Sequence, residues 1–154
     1  MGWVEPLRSV NGYGLFRVMT TDRPELVLEG SRDGTRWEPY GFRYKPGDVG
    51  RRPGFVAPFQ PRLDWQLWFA ALSPGQSLGW LQRLGEGLRA GTPEVLALLG
   101  HDPFPGKPPQ YVRAVLYDYR FSTPEQRRRT GAWWVRTLQG TFVLAPATAD
   151  SSGT

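Results

Sequence analysis

Glu25, Asp48 and Asp64 are the carboxylates placed to act as an acid–base set, with His101 as a lone base. Proton transfer needs such groups held in mutual geometry. Here Asp64 falls in the first turn of a helix and Asp48 in a Pro/Gly-rich loop, positions where acids are expected on structural grounds alone. No catalytic constellation is therefore assigned. His101 is the only histidine and the chain has no cysteine. Multi-histidine and thiolate metal sites, a cysteine nucleophile and a disulfide framework are excluded, and no metal or cofactor is expected.

The second chemical grouping is for recognition. From Phe42 to Pro61 prolines and glycines are dense, with Tyr44-Lys45-Pro46-Gly47-Asp48 and Arg51-Arg52-Pro53 at the centre and Phe42, Tyr44, Phe55 and Phe59 as anchors. An ordered surface loop with rings and paired arginines is a frequent site of recognition. Arg51, Arg52, Tyr44 and Lys45 are the candidate partner-binding residues. With Trp37, the same loop end could instead take a carbohydrate or a lipid head group.

The element that must position this loop is the helix predicted over Arg62-Leu63-Asp64-Trp65-Gln66-Leu67-Trp68-Phe69-Ala70-Ala71-Leu72, introduced by Pro58 and Pro61. Trp65, Trp68, Phe69 and Leu72 recur at i, i+3, i+4 and i+7, which predicts a buried stripe on one face. Each such ring would remove roughly 150 to 250 Å² from water. Arg62 and Asp64 are two residues apart and cannot share a face. The structural reading has Arg62 bonding carbonyls of the incoming loop and Asp64 satisfying first-turn amides.

Around this helix the periodicities alternate. Residues 15–19 read as a strand after a bend at Asn11-Gly12. Residues 25–31 and 36–40 read as a hairpin about a tight Asp33-Gly34 turn. Leu78, Leu81, Leu84 and Leu88 mark a second helix, and Thr92-Pro93-Glu94 begins a third that Gly100 ends. Tyr111 to Phe121 is an eleven-residue central strand. Ser122-Thr123-Pro124-Glu125 combines a capping-box spacing with a proline at N1 and predicts a short exposed helix from Glu125 to Thr130 stopped by Gly131, and 133–138 with 141–144 form one strand or a bent pair around Gly140.

The 154 residues suit one domain. The fold expected is mostly β or α+β: an antiparallel β-sandwich with a short three-helix insertion packed on it. One soluble domain over 1–144 is predicted, with the insertion at about 61–100 and a disordered tail at 145–154. No apolar run approaches a membrane span. Net charge is +5, and only Arg127-Arg128-Arg129 forms a basic run, read as a solvated helix face rather than a nucleic-acid contact.

The order of the chain's aromatic and proline words resembles the soluble C-terminal region of the lipase maturation factor family. The matching words include Asn11-Gly12-Tyr13-Gly14-Leu15-Phe16, Met19 to Glu25, Glu29-Gly30-Ser31, Asp33-Gly34, Trp37 and Tyr44 to Asp48. They continue with Arg51-Arg52-Pro53, Pro61 to Trp65, Trp68 to Ala71, Pro108-Pro109, Tyr111-Val112-Arg113 and Trp133-Trp134. They run through roughly residues 5 to 140. The chain departs from that pattern in lacking cysteine and in placing His101 where the family often has Asn. The resemblance implies a domain of a multi-pass membrane protein, in animals of the endoplasmic reticulum, that helps lipases fold and assemble. It implies a lipase-like protein client, no enzymatic activity, and membrane attachment through spans outside this chain, at the cell membrane in a bacterial relative. A narrower likeness, Gly30-Ser31-x-Asp33-Gly34-x-x-Trp37, resembles the strand-turn-strand of galactose-binding-like sandwiches and implies a jelly roll.

Overall fold

A computed structural model describes residues 23–54 and 61–144. The strand expected at 15–19, the anchors Phe55, Pro58 and Phe59, and the tail at 145–154 lie outside the described residues. Eight elements follow in order: β1 (Arg23–Ser31), β2 (Glu38–Pro39), α1 (Arg62–Leu72), α2 (Pro74–Ala90), α3 (Pro93–Leu96), β3 (Tyr111–Phe121), α4 (Pro124–Thr130) and β4 (Trp134–Val143).

The strands form one antiparallel sheet in the order β2-β1-β3-β4. β3 is central, and its pairing with β1 runs unbroken from Arg23 opposite Tyr119 to Ser31 opposite Tyr111. Its pairing with β4 shifts where Leu116 faces Gly140 and Tyr117 faces Leu138, leaving Gln139 as the extra residue of a bulge. The expected break at Gly140 is thus a bulge within one strand.

β1 alternates strictly. Leu26 and Leu28 face the helices, where they join Leu63, Leu67, Leu81, Leu84, Leu88, Val112 and Ala114 in the main core. Val27 faces the other way, into a smaller cluster with Tyr119 and Trp134. Full burial of each large aliphatic contributes about 1.5 to 3 kcal/mol, so the helix-covered face dominates. The arrangement is α+β. Among the described residues the sheet is covered by a helical layer and no second sheet faces it, so the α+β class holds and the expected sandwich and jelly roll are not seen there. Amphipathic helices bury an apolar face on a sheet as well as strands do.

Within that layer, α1 is rotated from the predicted orientation. Its buried residues are Leu63, Asp64, Leu67, Ala70 and Ala71. Trp65 and Leu72 are 47% and 46% exposed, and Trp68 and Phe69 are half-buried. The alanines let the helix backbone approach β1, which large rings on that face would prevent. The rings gather on the outer side, with Trp65 and Trp68 centred 4.2 and 5.1 Å from Phe69. α2, at 17 residues, is longer than expected for a short insertion. Its Gly85 lets Leu144 pack closely, since a Cβ there would lie 2.9 Å from the Leu144 Cβ.

The capping box expected from Ser122 to Glu125 falls one residue later in the chain. Thr123 Oγ1 accepts from Gln126 N at 3.2 Å and Gln126 Oε1 accepts from Thr123 N at 3.0 Å, a reciprocal box that starts α4. The turn between β1 and β2 is wider than the two-residue form expected. Asp33 organises it, accepting from Thr35 N and Arg36 N, each at 2.9 Å. The amides of Arg36 and Thr35 hold the Asp33 carboxyl well below the usual carboxylate range.

Candidate functional site

After β2 the chain runs along the open edge of β1 and is tied down at nearly every turn from Gly41 to Arg51. Gly41 pairs with His101. Tyr44 N donates to Asp64 Oδ2 at 3.1 Å. Lys45 Nζ donates to Leu26 O at 2.9 Å, so an ammonium satisfies a strand-edge carbonyl. Tyr119 Oη donates to Gly47 O at 2.7 Å, and the amides of Trp133 and Trp134 both reach Val49 O. The Arg51 guanidinium clamps two successive carbonyls, Phe42 O at 2.7 Å and Arg43 O at 2.6 Å. Trp134 Nε1 donates to Arg51 O at 3.0 Å. A Pro/Gly-rich segment with this many partners is a fixed platform.

Buried charge underlies the platform. Glu25 is fully buried between Arg23 Nε at 2.6 Å and Lys45 Nζ at 2.8 Å. Burial pushes the Lys45 ammonium below its usual range, against the opposing pull of Glu25 and Asp64. Asp64, 1% exposed, is pushed up by the same loss of water, offset by the Tyr44 amide and Lys45.

Above this layer lies a cleft of about 100 Å³ whose walls include Arg23, Arg43, Arg51 and Arg52 with Phe121 and Trp134. Phe121 is 63% exposed and stacks on Trp134 at 4.4 Å, the two residues being register partners across β3 and β4. Beside Trp134, Trp133 carries two guanidinium groups, Arg52 at 5.5 Å and Arg127 at 4.1 Å from the ring centre.

The four predicted partner-binding residues separate into two layers. Arg52 and Tyr44 are exposed at the cleft. Lys45 is 3% exposed and consumed by Glu25 and Leu26, because an open strand edge and a buried carboxylate hold it inward. Arg51 lines the cleft while bracing the loop. Arg62, read as bonding carbonyls of the incoming loop, is exposed, and that loop, residues 55–60, lies outside the described residues. Asp64 bonds the amide of Tyr44, twenty residues upstream, in addition to standing in the first turn.

The acid–base candidates do not converge on an open site. Glu25 and Asp64 are buried, Asp48 accepts from Gly50 N at 2.8 Å within its own loop, and His101 is joined to Gly41 through its backbone. Trp37 lies under Arg113 at 4.0 Å and does not line the cleft. Sequence reasoning missed Arg23, Arg43, Phe121, Trp133, Trp134 and Arg127. The available signal was aromatic residues at adjoining ends of two predicted neighbouring strands.

The sequence matches the model of the lipase maturation factor C-terminal domain over residues 9–144. It is 48% identical over 155 residues to lipase maturation factor 2 of Mus musculus, covering 97% of this chain and 22% of that protein. It is 42% identical over 144 residues to lipase maturation factor 1 of Homo sapiens, covering 88% of this chain and 25% of that protein. The chain thus spans only between 20% and 28% of the length of the curated relatives it matches. No solved structure matches it.

Proposed function

Since the chain belongs to the lipase maturation factor family, we propose that it is a non-catalytic client-binding domain of a larger maturation factor, using the face built by the 41–54 loop and the ends of β3 and β4. The observation that carries this reading is the fixed platform bearing Tyr44, Phe121 and Trp133 beside Arg43, Arg52 and Arg127. Aromatic and arginine side chains are those that interfaces favour, and hot spots concentrate in Trp, Tyr and Arg. Pre-ordering such groups lowers the entropy lost when a partner docks. The client, by the relatives' names, is a lipase during folding or assembly.

The absence of catalysis in this reading rests on the use of the carboxylates: Glu25 and Asp64 hold the platform together. No helix among the described residues is long and apolar enough to cross a membrane. Membrane attachment, in the endoplasmic reticulum of animal relatives or the cell membrane of a bacterium, would come from other parts of the parent protein.

Co-expression of a secreted lipase with the full-length parent protein tests the reading. Phe121→Ala combined with Trp133→Ala is expected to lower yield of active lipase while the isolated chain keeps its fold by circular dichroism. Full lipase maturation by that double variant would overturn it.

A further inference from the structure

The cleft has a marked imbalance of charge. Among the described residues five basic side chains line it, Arg23, Arg43, Lys45, Arg51 and Arg52, and no acidic one does. The carboxylate of Glu25, which pairs with two of these groups, is itself fully buried and already held by Arg23 and Lys45. A cluster of like charge in a concave, partly desolvated site raises the local potential and draws an anion.

The groups that would meet that anion are set in advance. Each guanidinium carries five N–H donors. The Arg51 guanidinium is fixed by its bonds to two carbonyls and Arg23 is fixed through Nε, leaving further donors on both. Arg52 rests against Trp133, and neither Arg43 nor Arg52 donates a hydrogen bond to the protein among the described residues. The planar fork of arginine matches a carboxylate in bidentate fashion.

Size and the apolar wall narrow the occupant. A volume of about 100 Å³ holds about three waters' share of liquid, well below the roughly 300 Å³ at which small-molecule pockets begin. It accommodates the head of one side chain. The adjoining exposed ring of Phe121, stacked on Trp134, offers a flat apolar surface to a neighbouring residue of the same ligand. Guanidinium donors beside rings form the composition of a protein interface rather than that of a backbone-amide phosphate nest.

We infer that this cleft seats a glutamate or aspartate side chain of a polypeptide partner, with the carboxylate between Arg43, Arg51 and Arg52 and a flanking apolar residue on Phe121. The inference rests on the client-binding reading above and names the chemistry of the segment recognised. Salt weakens such binding, because most of the charge is near the surface. Neutral isosteres of the acid lose it, because the forks then face no anion.

The test is calorimetric titration of the 154-residue chain with an end-blocked glutamate–phenylalanine–glutamate peptide, beside its glutamine counterpart, inorganic phosphate and phosphatidylserine vesicles. The acidic peptide is expected to bind, weakening with salt, and the glutamine peptide is not. Arg43→Ala and Arg52→Ala are each expected to lower affinity roughly tenfold with unchanged melting, and Arg52→Lys to restore it only in part. Equal binding of both peptides, or affinity unchanged in both alanine variants, would overturn the inference. So would phosphate or vesicle binding without peptide binding. Lipase maturation that fails with Phe121→Ala and Trp133→Ala yet persists with Arg43→Ala and Arg52→Ala would overturn the carboxylate seat and leave the client-binding reading standing.

Discussion

Lys45 Nζ and Glu25 Oε2 meet at 2.8 Å inside the domain, with the two side chains 1% and 0% exposed. The same ammonium donates to Leu26 O, so one residue closes a strand edge and compensates a buried acid. A buried pair need not add net stability, but removing one partner strands the other. Lys45→Met should therefore destabilise the chain by about 3 to 5 kcal/mol, and Lys45→Met with Glu25→Leu by less. Urea unfolding of the three proteins measures both; equal loss in the single and double variants would show that the pair is not coupled.

Asp64 makes that region pH-sensitive with a definite sign. Its folded pKa is raised, chiefly by burial, above the ordinary 3.8. A raised folded value means the native state binds the proton more tightly, so the contribution is fully present below the unfolded pKa. It is lost as pH rises through the folded pKa. Asp64→Asn should remove this dependence, so wild-type stability relative to the variant declines from about pH 3 to the top of that window. A difference that grows with pH would reverse the assignment.

Arg51 and Arg52 are neighbours with opposite expected behaviour. Arg51→Ala frees the carbonyls of Phe42 and Arg43 and should cost about 1.5 to 3 kcal/mol, as for hydrogen bonds to a charged group. Arg52→Ala, exposed against Trp133, should stay within about 0.5 kcal/mol. Thermal melts of the two variants decide it, and equal shifts would mean that the clamp does not hold the loop.

The face that α1 turns to β1 is checked by one pair of substitutions. Leu67 is fully buried and Trp65 is 47% exposed. Leu67→Ala should cost about 2 to 5 kcal/mol and Trp65→Ala far less. The reverse order in chemical denaturation would place the aromatic stripe inside.

What could be read from the sequence was local. The helix start at Pro124, the presence of a turn at Asp33 and the length of β3 each depend on residues a few positions apart, although the capping pair proved to be Thr123 with Gln126 rather than Ser122 with Glu125. The orientation of α1 was not legible, because hydrophobicity ranks Trp65, Trp68 and Phe69 above Ala70 and Ala71. Close approach to β1 selected the small residues, and Asp64 turned inward to a backbone amide twenty residues away. The candidate loop was legible through its density of rings and arginines. Its separation into buried Lys45, bracing Arg51 and exposed Arg52 was not, since it depends on Glu25, Leu26 and the carbonyls of Phe42 and Arg43. Phe121 joins Trp134 only through strand register. The helices packed on the sheet were legible from their apolar stripes and caps, whereas whether a second sheet faces the first was not, because a helix and a strand can cover the same sheet face.

The central claim, that the Phe121 end of the sheet meets the client, is tested most directly by site-specific photocrosslinking. A benzophenone residue at Phe121, 63% exposed, and one at Leu138, 59% exposed, would be compared in the full-length parent co-expressed with a secreted lipase. The account predicts a lipase adduct from position 121 several-fold stronger than from position 138, diminished by Arg52→Ala. Equal adducts from the two positions, or a stronger one from position 138, would contradict it.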